Sequence, residues 1–404
     1  MFTQLLSQEL FIDQNKLTLG QITSSSTYCK KINLESSLCN SKKLSYIDYN
    51  DPNLPSFLTG LQQNIQTVIQ AYEKNTIKTP VLENIQEFGA EFSGEWYNNH
   101  SITLFAKTPT TYTLSTISNG YTGGAHGYYT VHFDTYSIAT QKPIKLDDLF
   151  IDDYNQTLMH IAEDHYKRTH ELQPKQSLED EGWFENKFVL AENIAITPQG
   201  LYFHYNSYEI QPYSAGQATF LLPYHTLYTI INPKGPLGFT LKNKDTFHTS
   251  FYDNETIFIT LDTQINPDKT ITLTATMSNL SFLEKGWFSL SFPQLQTTHS
   301  LVKKGYKGFE TLKLYPKGSK VYHRKYKKAV SSHYLLVEAE VSHWEYKKEN
   351  SITLLLKLPP QQKELIVDIH ATVKSKNKTI TIPDELEGIE GQQGYDNYRM
   401  FIGL

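Results

Sequence analysis

Three glycines fall within five residues of the segment Tyr121-Thr122-Gly123-Gly124-Ala125-His126-Gly127-Tyr128-Tyr129, between two runs of alternating side chains. Thr111–Ser118 before it and Tyr129–Thr135 after it have the period of two expected of half-buried strands. Glycine inside a strand costs stability and packs nothing. The cluster therefore predicts a turn whose backbone needs positive φ or comes close to another backbone or a ligand. Tyr128 and Tyr129 place amphipathic aromatic surface beside a loop with few other side chains.

The rest of the pattern is organised around that turn. Short strands are expected at Leu10–Ile12, Leu17–Leu19 and Tyr46–Tyr49. Leu58, Leu61, Ile65, Val68, Ile69 and Tyr72 recur at spacings of three and four, which predicts a core-facing helix ending near Lys74-Asn75. Strands follow at Ala90–Tyr97 and Ser101–Phe105. A second helix follows Leu146–Phe150, with Leu158, Ile161, Ala162 and Tyr166 on one side. Lys167, Arg168 and His170 near its end suit the helix dipole. Asn193–Ile196 and Gly200–Tyr205 form a hairpin turned by Thr197-Pro198-Gln199-Gly200. The segment Asn232-Pro233-Lys234-Gly235-Pro236-Leu237-Gly238 reads as a domain boundary. Beyond it, short alternating strands recur without a convincing helix, the pattern of an antiparallel β-sandwich.

The expected fold class is thus α+β, a mixed helix and antiparallel-sheet domain followed by an all-β sandwich-like domain. The expected boundaries are a β-rich segment 1–50 packed on the next domain, an α+β domain 51–232 and a sandwich 238–404. The 27 tyrosines among 404 residues favour β-structure. A formal net charge of -5 argues against a chain that binds polyanions over its whole surface. No stretch approaches the roughly 20 apolar residues of a membrane span. Met1–Leu6 shows neither a basic n-region nor a long apolar run. Cys29 and Cys39 either close a small disulfide loop in an oxidising compartment or remain two buried thiols; no second ligand pair nearby favours zinc.

Four ordered motifs carry a resemblance: Gly123-Gly124-Ala125-His126-Gly127, Leu146-Asp147-Asp148-Leu149-Phe150, Tyr208 to Gly216 (Tyr-Glu-Ile-Gln-Pro-Tyr-Ser-Ala-Gly) and Leu222-Pro223-Tyr224. Together they resemble the extracytoplasmic domain of RsiV-type anti-sigma factors, also found in PdaC-type peptidoglycan deacetylases. Asn53 to Tyr72 matches the preceding helix, so the resemblance covers about residues 45–232. It implies a mixed α+β domain working in the bacterial cell envelope, periplasmic or otherwise extracytoplasmic, as in a lipoprotein, with a signal or lipid anchor already removed. In the RsiV branch the domain binds lysozyme. This chain lacks the transmembrane and sigma-binding segments of that branch and the deacetylase domain of the other.

Candidate chemistry is sparse. His126 between glycines suits a general base or a ligand, and equally a turn cap. His132 and His204 lie on strand-like runs, but no matching carboxylate or close histidine pair accompanies them, so no metal is expected. Asp147 and Asp148 precede a helix, where capping accounts for them. Glu209 is a lone carboxylate. No nucleophile elbow, metalloprotease helix, phosphate loop or dinucleotide fingerprint occurs, and no cofactor is expected.

A binding surface is the stronger expectation. Tyr121, Gly123, Gly124, His126, Tyr128 and Tyr129 on one bend, and Tyr208, Glu209, Pro212, Tyr213 and Ser214 on another, combine tyrosine with small residues. Tyrosine offers large contact area with few rotors to freeze, and small neighbours permit close approach. The expected partner is a lysozyme-like protein, with a peptidoglycan glycan as the alternative and a hydrolase or deacetylase using His126 and Glu209 as the third reading. The bland alternative buries both bends, with the glycines required by the fold. Finally, ten basic residues and one acidic residue occur in 301–330, interleaved with Tyr306, Tyr315, Tyr322 and Tyr326. A polyanion contact through 303–328 and a solvated strand face are both consistent with that run.

Overall fold

The computed structural model describes residues 19–33, 36–88, 94–170, 172–173, 175–242, 244–253, 257–279, 285–295, 297–323, 328–332, 334–342, 344, 349–362, 364–374, 379–382 and 399–403. The expected strand at Leu10–Ile12, most of that at Leu17–Leu19, and Arg324, Lys325, Tyr326 and Lys327 of the basic run lie outside them. The described chain is mostly β, in several antiparallel sheets, with five α-helices that all precede residue 228.

The first sheet runs β1 (Gln21–Lys31), β2 (Ser37–Ile47), β3 (Gly94–Lys107), β4 (Thr111–Tyr121) and β5 (Tyr128–Ser137), in that order. Its pairs are antiparallel except β2 with β3, which is parallel with Leu38 opposite Gly94. Residues 21–31 and 37–47 are therefore hydrogen-bonded into this sheet. A parallel step needs a crossover. Here it holds α1 (Leu61–Lys74) and α2 (Lys78–Phe88). The α1 stripe Leu61, Ile65, Ile69 and Tyr72 is buried against Leu44, Ile47, Ile102, Leu104 and Leu114 of the sheet. Each such side chain stabilises the fold by about 1.5–3 kcal/mol. Strand β1 is tied to β2 by a Cys29–Cys39 disulfide between directly paired positions, with Cα atoms 4.0 Å apart.

A short α3 (Leu146–Leu149) and then α4 (Asn155–Thr169) follow, with Leu158, Ala162, His165 and Tyr166 of α4 buried. The second sheet is β6 (Asn193–Ile196), β7 (Gly200–Tyr205) and β8 (Ala218–Pro223), leading into α5 (Tyr224–Leu227). Thr197 accepts hydrogen bonds from the Gln199 and Gly200 amides and donates to the Gly200 carbonyl, closing the expected hairpin. Phe105, Ile117, Val131 and Phe133 of the first sheet pack on Ala195, Tyr202 and Leu221 of the second.

The remaining strands are β9 (Thr246–Asp253), β10 (Ile257–Ile265), β11 (Thr270–Asn279), β12 (Lys285–Phe292), β13 (Leu301–Lys307), β14 (Thr311–Tyr315), β15 (Lys320–His323), β16 (Lys328–Ser331), β17 (Leu335–Val341), β18 (Glu349–Lys357), β19 (Glu364–Lys374), β20 (Thr379–Ile382) and β21 (Arg399–Gly403). They form one sheet ordered β13-β18-β11-β10-β9 and another ordered β14-β17-β12-β19-β20, with β21 also on β19 and β15–β16 a separate hairpin. Leu261, Leu273 and Leu354 of the first share one core with Phe288, Val337 and Ile369 of the second. Arg168 of α4 and His225 of α5 both reach Glu364 of β19, at 2.5 and 3.3 Å.

Candidate functional site

Strand β5 runs along the second sheet, and two asparagines take up its backbone groups. Asn193 accepts from the Phe133 amide at 2.8 Å and donates to the Val131 carbonyl at 2.7 Å. Asn206, just past β7, accepts from the Val131 amide and donates to the same carbonyl, at 2.8 and 3.1 Å. Gln217 donates to the Tyr129 carbonyl and to Asn206. These bonds bring the start of β5, and so the glycine turn, against the segment after β7.

The two bends meet at His126. Its ring stacks on Tyr213 with centroids 3.8 Å apart and planes 15° from parallel. Tyr208 lies beside both, its ring 5.9 Å from that of Tyr213 and its hydroxyl 3.3 Å from His126 Nε2. His126 Nδ1 is 2.9 Å from the Gly127 carbonyl, which only accepts. Nδ1 therefore carries the proton in the neutral ring, and Nε2 accepts from Tyr208. Tyr208 holds φ at +72°, a left-handed backbone that side chains other than glycine rarely adopt. Its amide donates to Gln211 and its ring is 57% exposed. His126, Tyr208 and Tyr213 are all exposed.

The other residues picked from the sequence take separate places. Tyr121 donates to the Gly124 carbonyl within its own turn. Tyr128 donates to Asn98 at 2.7 Å, while Tyr129 is half-buried. Gly123 has φ of +82°, and a Cβ there would stand 2.9 Å from Trp96 Nε1; at Gly124 a Cβ would meet nothing. The expected geometric demand thus holds for Gly123 but not Gly124. Glu209 is exposed and accepts from Asn206, and no hydrogen bond among the described residues joins it to His126. Pro212 and Ser214 are exposed on the second bend.

The histidines do not converge. His204 is buried, its charged form disfavoured enough to push its pKa down to about 4. His132 is held above the ordinary range by its hydrogen bond to Asp134, against the opposing effect of burial. No group of three metal-binding side chains occurs among the described residues. Asp147 accepts from Tyr154 and Asp148 from the Lys145 amide, so both serve the helix start.

Phe184 was not visible in the sequence as part of this surface. Its amide donates to the Ile210 carbonyl at 2.8 Å, and its side chain is exposed. Asn206 and Gln217 were also missed, although an asparagine directly after a strand is a turn former. A polar cavity of about 420 Å³ between α4, α5 and the start of β19, lined by Arg168, His225 and Glu364, contains none of the expected site residues.

The family DUF3298, described as a protein of unknown function, matches residues 147–225. That stretch is a DUF3298 domain. It contains the Tyr208–Tyr213 bend, while the glycine turn precedes it. A DUF3298 family structure from Bacteroides fragilis NCTC 9343 is 20% identical, covering 54% of this chain and 95% of its own, with a TM-score of 0.43. Another DUF3298 family structure, from Pseudomonas aeruginosa PAO1, is 18% identical with the same coverage and a TM-score of 0.38. No curated protein matches the chain.

Proposed function

We propose that the corner formed by His126, Tyr208 and Tyr213 is a non-catalytic recognition surface for a folded protein partner outside the cytoplasm. The observation that carries this reading is Tyr208, whose strained backbone presents a mostly exposed ring against a histidine from a separate bend. Strain of about 1–3 kcal/mol at an exposed residue persists where the surroundings enforce it, and such residues gather at functional sites. Tyrosine clusters of this kind are typical binding anchors. Phe184, whose amide donates to the Ile210 carbonyl, adds a further exposed aromatic ring next to the second bend.

The sequence resemblance to RsiV-type domains makes a lysozyme-like protein the partner of choice, as receptor or inhibitor. It also makes the α+β unit followed by a sandwich from residue 238 our reading of the architecture. The Cys29–Cys39 disulfide supports an oxidising, extracytoplasmic location. Calorimetric titration of the whole chain against a panel of lysozymes tests the reading. Binding that weakens at least about tenfold in Tyr208→Ala and Tyr213→Ala is expected, in line with anchor residues. No binding at tens of micromolar to any lysozyme would remove the lysozyme reading. Retention on purified peptidoglycan lost in the same variants would replace it with glycan recognition.

A further inference from the structure

The edge strand β13 carries features that the fold does not require. Among the described residues it pairs with β18 alone. Lys304 and Tyr306 lie opposite Leu354 and Ile352, which are buried, so these two stand on the core-facing side. Both are nevertheless exposed, whereas Leu301 at the start of the strand packs against the core. Lys303, Gly305 and Lys307 alternate on the outer face, opposite Leu355, Thr353 and Ser351.

Lysines on a sheet edge, inward-pointing ones included, are an ordinary protection against edge-to-edge association. Two observations exceed that explanation. Val302 and Tyr306, 56% and 48% exposed, stand on either side of Lys303-Lys304-Gly305 and work against such protection. Gly305 has no positive φ, and a Cβ on it would meet nothing within 4 Å. Neither backbone geometry nor packing calls for glycine there. What the glycine leaves is a saddle between two lysines about 13 Å apart, four residues at strand rise. The hydroxyls of Ser351 and Thr353, with Thr274 hydrogen-bonded to Thr353 at 3.3 Å, lie next to the saddle on the same face. No carboxylate forms an ion pair with Lys303, Lys304 or Lys307 among the described residues; the nearest on β18 is the exposed Glu349. Glycine in a strand interior marks a bulge or a close approach by another molecule; the irregularity in β13 lies at Leu301/Lys303 rather than at Gly305, which keeps its register with Thr353.

We propose that this edge binds a flexible phosphodiester polymer without bases, of the polyol-phosphate kind, seated over Gly305 between Lys303 and Lys307. Ammonium groups and hydroxyls complement phosphate oxygens, and the bare backbone at Gly305 leaves room for the carbon chain between them. Nucleic acid would want successive aromatic platforms, whereas the strand offers only Tyr306, on its other side.

The test is fluorescence anisotropy of labelled poly(glycerol phosphate) with the full chain at about 50 mM salt, followed by a salt series. Affinity should fall with salt at a log–log slope of about -1.4, as about two phosphate contacts give. The Lys303→Gln/Lys307→Gln variant should bind about tenfold more weakly. Gly305→Val fills open space with a strand-favouring residue; it should keep the parent's melting temperature and lose binding to a similar extent. Unchanged affinity in Gly305→Val, or tighter binding of an oligothymidylate of equal length, would overturn the proposal.

Discussion

His126 lies flat on Tyr213, although the two residues come from bends on different sheets. The contact exists because Asn206 and Gln217 fix the second bend to the β5 backbone. The corner is therefore a product of tertiary packing, and its parts respond separately to substitution.

Tyr208→Asn is the sharpest separation of stability from recognition. Asparagine tolerates the left-handed backbone that tyrosine occupies at a cost of about 1 kcal/mol. Little burial is lost, since the ring is mostly exposed. Urea denaturation should show stability equal to or above that of the parent, while partner binding falls. A loss beyond about 1 kcal/mol would mean the ring is structural rather than presented.

The glycines at the end of β4 and in the turn divide by what a Cβ would meet. At Gly120 it would stand 2.5 Å from the Tyr97 carbonyl, so Gly120→Ala should cost about 2–3 kcal/mol through backbone displacement. Gly124→Ala has open space and no positive φ and should stay within about 0.5 kcal/mol of the parent. Melting curves of the two variants measure the difference.

Reduction, or Cys29→Ser with Cys39→Ser, removes a closure spanning a sequence separation of 10. The expected loss is about 2–3 kcal/mol from loop entropy. Because β1 is an outer strand of its sheet, hydrogen exchange should quicken first in residues 21–31.

Two buried histidines give the chain a pH dependence. Burial is the main cause that pushes His165 down to about 3, with Arg168 adding to it, and His204 down to about 4. Both folded values lie below the ordinary value near 6.5, so the unfolded chain binds protons first as pH falls. Stability is full above about 6.5 and declines below it, by up to about 1.4 kcal/mol per pH unit for each histidine. Unfolding in urea at pH 7 and pH 5 should differ by about 2–4 kcal/mol, and His204→Gln should reduce the difference. A flat profile would contradict the assignment.

Much of this architecture is written locally. The α1 stripe repeats at three and four, and the strands of the C-terminal sheets alternate cleanly, so both kinds of element are legible. Helix α2 is not: among its described side chains only Val81 is fully buried, too thin a stripe to register as a period. Strand order is also hidden, because β11 pairs with the distant β18 through contacts that leave no local signal. In the site, tyrosines and glycines advertised the two bends. Asn206, Gln217 and Phe184 did not, since a hydrogen bond to remote backbone has no sequence pattern.

The parallel step between β2 and β3 sets an order of assembly. Strands β3, β4 and β5 join through short hairpins and can zip up while the polypeptide is still emerging. Strand β2 must wait until the α1–α2 crossover has closed, so the disulfide-bearing hairpin docks late. Pulse-labelled amide exchange during refolding should protect residues 111–137 before residues 37–47.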